Sequence, residues 1–138
     1  MTAKYLDLKN KRVFITGGGS GIGASIVQHF CEQESEVHFI DINEEASNKL
    51  ISDCKNKKLS IPNFIKCDLF NIKDLQSIIT KIISDKGPIN ILINSAANDE
   101  RHAIDDVTEE YWDKRMSINL KHYFFTVQSV KKSMIENK

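Results

Sequence analysis

Residues Thr16 to Gly23 read Thr-Gly-Gly-Gly-Ser-Gly-Ile-Gly, directly after the apolar run Val13-Phe14-Ile15. A strand that ends in such a turn and re-enters as a helix presents bare backbone N–H groups at a helix N-terminus, an arrangement that receives a pyrophosphate. Gly17 is expected to permit the tight turn, Gly21 to let the backbone approach phosphates, and Gly23 to let helix and strand pack closely. Ser20 adds a hydroxyl for a phosphate oxygen. The spacing G-x-x-x-G-x-G differs from the G-x-G-x-x-G fingerprint. A glycine loop that holds nothing is the alternative. It is disfavoured by the strand before, the helix after, and Asp41, twenty residues beyond Gly21 at the end of the next apolar run. A carboxylate there suits the ribose hydroxyls of a dinucleotide. It also repels the additional phosphate of NADP, and neither Gly18 nor Ile42 is basic, so NAD is the expected cofactor. The competing reading of Asp41 is a helix-capping carboxylate before Ile42-Asn43.

Two further groups fall at strand ends. Asp68, after Cys67, suits either the adenine amino group or the start of a turn. Asn94-Ser95-Ala96-Ala97 offers small side chains past which a cofactor can approach the backbone. Strands and helices must alternate to bring these together. Arg12 to Thr16 reads as a short buried strand, followed by a helix over Gly21 to Gln33 with Ile22, Ile26 and Phe30 at four-residue spacing. Glu36 to Ile40 is the second strand. Asn43 caps the next helix, whose stripe is Ala46, Leu50 and Cys54. Pro62 opens a third strand, Asn63 to Cys67. Asn71 caps a helix with the stripe Leu75, Ile78, Ile79, Ile82 and Ile83, ended by Gly87-Pro88. Ile89 to Ile93 has the unrelieved apolar character of a strand covered on both faces. Thr108 caps a last helix, with Trp112, Met116, Leu120, Tyr123, Val127, Val130 and Met134 along one face.

Strands separated by helices pair in parallel through right-handed crossovers. The predicted architecture is one α/β domain over residues 1–138, a Rossmann-like doubly wound parallel sheet of order 3-2-1-4. The crevice outside the strand C-termini, where the winding reverses, is where such sheets bind ligand.

Composition narrows the function classes. The 19 basic and 19 acidic residues cancel, which argues against nucleic acid and against an anionic membrane surface. No apolar run approaches the ~20 residues of a membrane helix, and Met1 to Asn10 is mixed and charged, unlike a signal peptide. Cys31, Cys54 and Cys67 are odd in number and scattered, as buried thiols of a cytoplasmic protein would be. His29, His38, His102 and His122 lack metal-ligand spacing, so no metal is expected.

Thr16 to Gly23, Asp41, Asp68 and Asn94 to Ala97 together resemble the N-terminal half of a short-chain dehydrogenase/reductase, over nearly the whole chain from Leu8 onward. Ser95 and Ala97 depart from that family's Asn-Asn-Ala-Gly. The resemblance implies a cofactor site of Gly17, Gly19, Ser20, Gly21, Ile22, Gly23, Asp41, Ile42, Asp68, Leu69, Asn94 and Ala96. Ser117-Ile118-Asn119-Leu120 is similar to the family's Asn-containing segment. By that match Asn119 is the catalytic Asn whose backbone helps hold a proton-relay water; otherwise it is a polar residue tucked into a helix kink. Within the family, Tyr5 to Gly23, Asn98 to His102 and Tyr111-Trp112-Asp113 are similar to bacterial NAD-dependent aldose dehydrogenases of the D-xylose type. That implies oxidation of a sugar's anomeric carbon, with the loop Asn98 to His102 bordering the substrate.

The family's Ser, Tyr and Lys lie on a fifth strand and the helix after it, and the sequence ends at Lys138, before either. Its one Tyr-x-x-x-Lys, Tyr5 to Lys9, precedes the first strand, wrongly placed to reach a nicotinamide. The expectation is an inactive cofactor-binding half whose open fourth strand and apolar last helix favour homo-oligomers. A non-catalytic dinucleotide-binding or interaction module is the second reading. A flavodoxin-like domain is the third, though its phosphate loop would not need Asp41.

Overall fold

The computed structural model describes residues 3–137. Four strands, β1 (Arg12–Thr16), β2 (Glu36–Asp41), β3 (Asn63–Lys66) and β4 (Ile91–Asn94), alternate with helices α1 (Gly21–Glu32), α2 (Glu44–Asn56) and α3 (Ile72–Lys86). Beyond β4 come α4 (Glu109–Met116), a π-helical segment (Ser117–Lys121) and α5 (His122–Glu136). The sheet is wholly parallel, in the order β3-β2-β1-β4. This is the Rossmann-like arrangement expected. Short 3-10 turns at Leu6–Leu8 and Ile104–Asp106 were not part of that expectation.

Alternation along β1 divides the core into two layers, because successive strand side chains point to opposite faces. Val13 and Ile15 pack with Val27 and Cys31 of α1, Leu50 and Cys54 of α2, and Val37 and Phe39 of β2. Phe14 and Ile40 pack on the other face with Leu75, Ile79 and Ile82 of α3 and Val130 of α5. The three cysteines are unpaired and buried. The caps form as read: Asn43 Oδ1 accepts from the Ala46 N–H at 3.0 Å, Asn71 Oδ1 from the Asp74 N–H at 3.1 Å, and Thr108 Oγ1 from the Tyr111 N–H at 3.2 Å.

Four details differ from the sequence reading. β4 begins at Ile91 rather than Ile89, because the Asn90 side chain takes over the pairing: its Oδ1 accepts the Arg12 N–H at 2.8 Å. The residues of β4 are half-buried rather than covered, since no strand pairs with its outer edge among the described residues. α1 buries Gly23, Val27 and Cys31, one residue on from the expected stripe, and Ile22 is 78% exposed. The cause is Gly23, where the helix passes so near the Gly17 and Gly18 backbone of the turn that only a residue without a side chain fits. The last helix is the largest departure. It buries His122, Thr126 and Val130, while Trp112, Met116, Leu120 and Val127 are exposed. One extra residue in a turn rotates everything beyond it by about 100° relative to a 3.6-residue helix. The π segment supplies such a turn for α5, whereas Trp112 and Met116 lie ahead of it and are exposed on α4 itself.

Candidate functional site

A crevice runs along the C-terminal ends of the strands. Its walls are Gly17, Ser20 to Gly23, Asp41, Ile42, Cys67 to Phe70, Ser95 to Asp99, and Ile118. Of the residues expected to hold a cofactor, all but Gly19 and Asn94 line it. Sheet order separates its two ends. Asp41 and Asp68, at the ends of β2 and β3, lie on one side of the glycine turn, and Ser95 to Asp99, after β4, lie on the other.

The glycine turn is built by backbone constraints. Gly17 and Gly21 take the left-handed φ values of 68° and 54° that favour glycine. A Cβ on Gly23 would lie 1.9 Å from the Gly17 carbonyl oxygen, whereas one on Gly21 would meet open space. The Gly17 and Gly18 N–H groups donate to the Ile40 carbonyl at 2.8 and 3.2 Å, which ties the turn to β2. Ser20 is the N-cap of α1, yet its hydroxyl caps no N–H. The first-turn N–H groups of a helix have no intrahelical acceptors, so the turn faces the crevice with donors. This suits a phosphate group.

Asp41 is the hinge of the acidic end. Its Oδ2 accepts the Gly19 N–H at 2.8 Å and its Oδ1 accepts the Asn43 N–H at 2.8 Å. The carboxylate thus fixes the glycine turn and also orders the entry to α2, the second in keeping with the capping role. Ionised carboxyl oxygens accept more than one bond each, so both keep capacity toward the crevice. Asp68 makes the turn: its Oδ1 accepts the Phe70 N–H at 3.0 Å. Cys67 also lines the crevice, but burial pushes its thiol up to about 12, so it is no thiolate nucleophile at neutral pH.

The other end is held by Asn94 and Asn119 together with residues that sequence reasoning passed over. Thr16 Oγ1 accepts the Ser95 and Ala96 N–H groups at 3.1 and 3.2 Å, locking the end of β1 to the turn after β4. The Tyr123 hydroxyl donates to the Ala96 carbonyl at 3.0 Å, and the Thr126 hydroxyl donates to Asn94 Oδ1 at 2.7 Å. Asn94 therefore anchors β4 to α5 instead of facing the crevice. Asn119, on the π segment, reads both backbone groups of Asn98: its Oδ1 accepts the N–H at 2.7 Å and its Nδ2 donates to the carbonyl at 2.9 Å. Thr16 had a signal, as the polar residue that follows the apolar run Val13-Phe14-Ile15. Tyr123 and Thr126 had none, because their partners lie 27 and 32 residues away.

Among the described residues, no group of three or more His, Cys, Asp or Glu side chains could hold a metal ion, and no helix is long and apolar enough to cross a membrane.

Known proteins share this fold and part of this sequence. D-xylose 1-dehydrogenase of Caulobacter vibrioides is 41% identical over 133 residues, covering 96% of this chain and 52% of that protein. A probable galactose dehydrogenase of Rhizobium meliloti is 39% identical over 129 residues, 94% of this chain and 50% of that protein. The crystal structure of a hydroxysteroid dehydrogenase from Escherichia coli superposes with a TM-score of 0.85 at 26% identity, over 94% of this chain and 55% of that one. The chain thus spans about half the length of the relatives it matches. The family model described as short chain dehydrogenase matches residues 11–138, and with the glycine turn, Asp41 and the 3-2-1-4 sheet in place, the chain belongs to the short-chain dehydrogenase family.

Proposed function

We propose that this chain holds NAD in the strand-end crevice and forms the cofactor-binding half of an oxidoreductase that moves a hydride between the nicotinamide and a C–OH group of an aldose-like substrate. The carrying observation is Asp41, bonded to the Gly19 N–H at 2.8 Å and lining the crevice beside the glycine turn. In this reading the first-turn N–H groups of α1 and the Ser20 hydroxyl take the phosphates. Asp41 takes ribose hydroxyls and excludes a 2′-phosphate by charge. Ile22, Ile42 and Leu69 form apolar walls, and the uncommitted oxygen of Asp68 accepts the adenine amino group. Asn119 acts through its backbone, holding a relay water, while its side chain positions Asn98. The bound nicotinamide supplies hydride chemistry.

The aldose class is supported by the two sugar dehydrogenases that this chain resembles at about 40% identity. The three buried, unpaired thiols accord with a reducing cytoplasm. The family's proton-moving Tyr and Lys have no correctly placed counterpart among these 138 residues.

Calorimetric titration tests it. The chain should bind NAD⁺ more tightly than NADP⁺, and Asp41→Ala should relax that preference by about tenfold or more, the loss of one repulsive charge contact. Equal affinity for both cofactors in the unaltered chain, or unchanged selectivity in the variant, removes Asp41 from this role.

A further inference from the structure

The loop after β4 carries a feature that cofactor binding leaves unexplained. Asp99 lines the crevice, on the side of the glycine turn away from Asp41. Both its neighbours are immobilised. The Asn98 backbone is bonded on both sides by the Asn119 carboxamide, and Asn98 Oδ1 accepts the Glu100 N–H at 3.0 Å. The Glu100 carbonyl accepts the Tyr111 hydroxyl at 3.0 Å, and its carboxylate is paired with Arg115. Arg115 is itself held over the Tyr111 ring, 4.7 Å from the centroid, and Nη1 donates to the Asn98 carbonyl at 3.4 Å. Its side chain is only 17% exposed. Asp99 alone in this knot makes no side-chain hydrogen bond or ion pair among the described residues. A carboxylate held by fixed neighbours and left with both oxygens uncommitted is an acceptor for adjacent hydroxyls. Phosphates lie badly there, because like charges repel.

We propose that Asp99 is a specificity-determining residue that accepts hydroxyl groups of a polyhydroxylated substrate at the β4 end of the crevice, and that Arg115 is the positioning residue that holds it there. This deepens the reading of the crevice as the NAD site and rests on it. Arg115 acts through Glu100 and the Asn98 carbonyl. It touches neither substrate nor cofactor.

The test uses this chain with saturating NAD⁺ and D-xylose as the aldose probe, read by saturation-transfer NMR, with NAD⁺ affinity measured separately. D-xylose should receive saturation from the unaltered chain. Asp99→Ala should weaken the sugar at least tenfold and leave NAD⁺ affinity within twofold. Arg115→Met should weaken the sugar comparably, again with NAD⁺ unaffected, and should raise amide exchange over residues 98–102. Arg115→Lys, which keeps the charge but not the planar fork, should recover part of the loss. Unaltered sugar binding in Asp99→Ala overturns the assignment, as does NAD⁺ binding with no sugar signal from the unaltered chain. Equal loss of both ligands in Arg115→Met overturns its positioning role. Failure of the unaltered chain to bind NAD⁺ overturns the reading of the crevice itself, and so is told apart from failure at Asp99.

Discussion

A single methyl group separates the roles of two glycines in the turn. At Gly23 an added Cβ would lie 1.9 Å from the Gly17 carbonyl oxygen, inside any permissible contact, and neither backbone can retreat without separating α1 from the glycine turn. Gly23→Ala should lose more than about 3 kcal/mol of stability in urea unfolding, the range reserved for core overpacking and backbone clash. Gly21→Ala meets only open space, so its cost should be the left-handed backbone alone, about 1–2 kcal/mol. Its sharper effect should be on NAD⁺ binding, since the methyl enters the space a phosphate would occupy. Equal destabilisation by both variants would contradict this division. At this scale the sequence was most legible where chemistry needs one residue type. Glycines at fixed spacing and a carboxylate at a strand end announce themselves. Asp41 was harder to read, because capping and ligand binding draw on the same oxygens and the structure uses them for both ends of a loop. Asn94 was hard to read for a related reason: a carboxamide beside a binding loop serves equally well as a strand-to-helix tie, and its Oδ1 is used as one.

The helices show where periodicity carries information and where it fails. α3 buries Leu75, Ile79 and Ile82 as a regular helix should, and its stripe was readable. The stripe across α4 and α5 was not, because no residue pattern marks the π segment that shifts its phase. That shift places His122 fully inside, with neither ring nitrogen hydrogen-bonded. Burial lowers the His122 pKa below the usual histidine value, and the Ile118 carbonyl offsets part of that effect. The unfolded chain then binds a proton more readily than the folded one. Stability is complete above the ordinary histidine pKa of about 6.5 and falls as pH drops through it toward the lower folded value. His122→Leu, which removes two unsatisfied nitrogens at similar volume, should stay within about 1.5 kcal/mol of the unaltered chain at pH 7.5. Below pH 6.5 it should lose less stability than the unaltered chain. Parallel pH dependences of the two proteins, measured by urea unfolding, would show that His122 titrates freely.

For the whole molecule, sheet order was the most secure inference from sequence, since alternating strands and helices with right-handed crossovers leave few arrangements. What the sequence concealed is the distribution of apolar surface. Trp112, Met116, Leu120, Phe124 and Val127 follow one another along the outer side of α4, the π segment and α5, and all are substantially exposed. Scattered exposed apolar side chains are ordinary, but a continuous row is the signature of an association surface. Light scattering should show mass rising with protein concentration, and Leu120→Lys combined with Phe124→Glu should hold the chain monomeric. A concentration-independent monomer in the unaltered chain would rule the row out as an interface. The row also decides what light can report. Trp112 is the sole tryptophan, and it is 58% exposed. Its emission in the folded monomer is already close to that of a solvated indole, so denaturation will barely move it and a fluorescence melt will look flat for a well-folded chain. A blue shift on concentrating the protein, by contrast, would mark the indole entering a contact between copies.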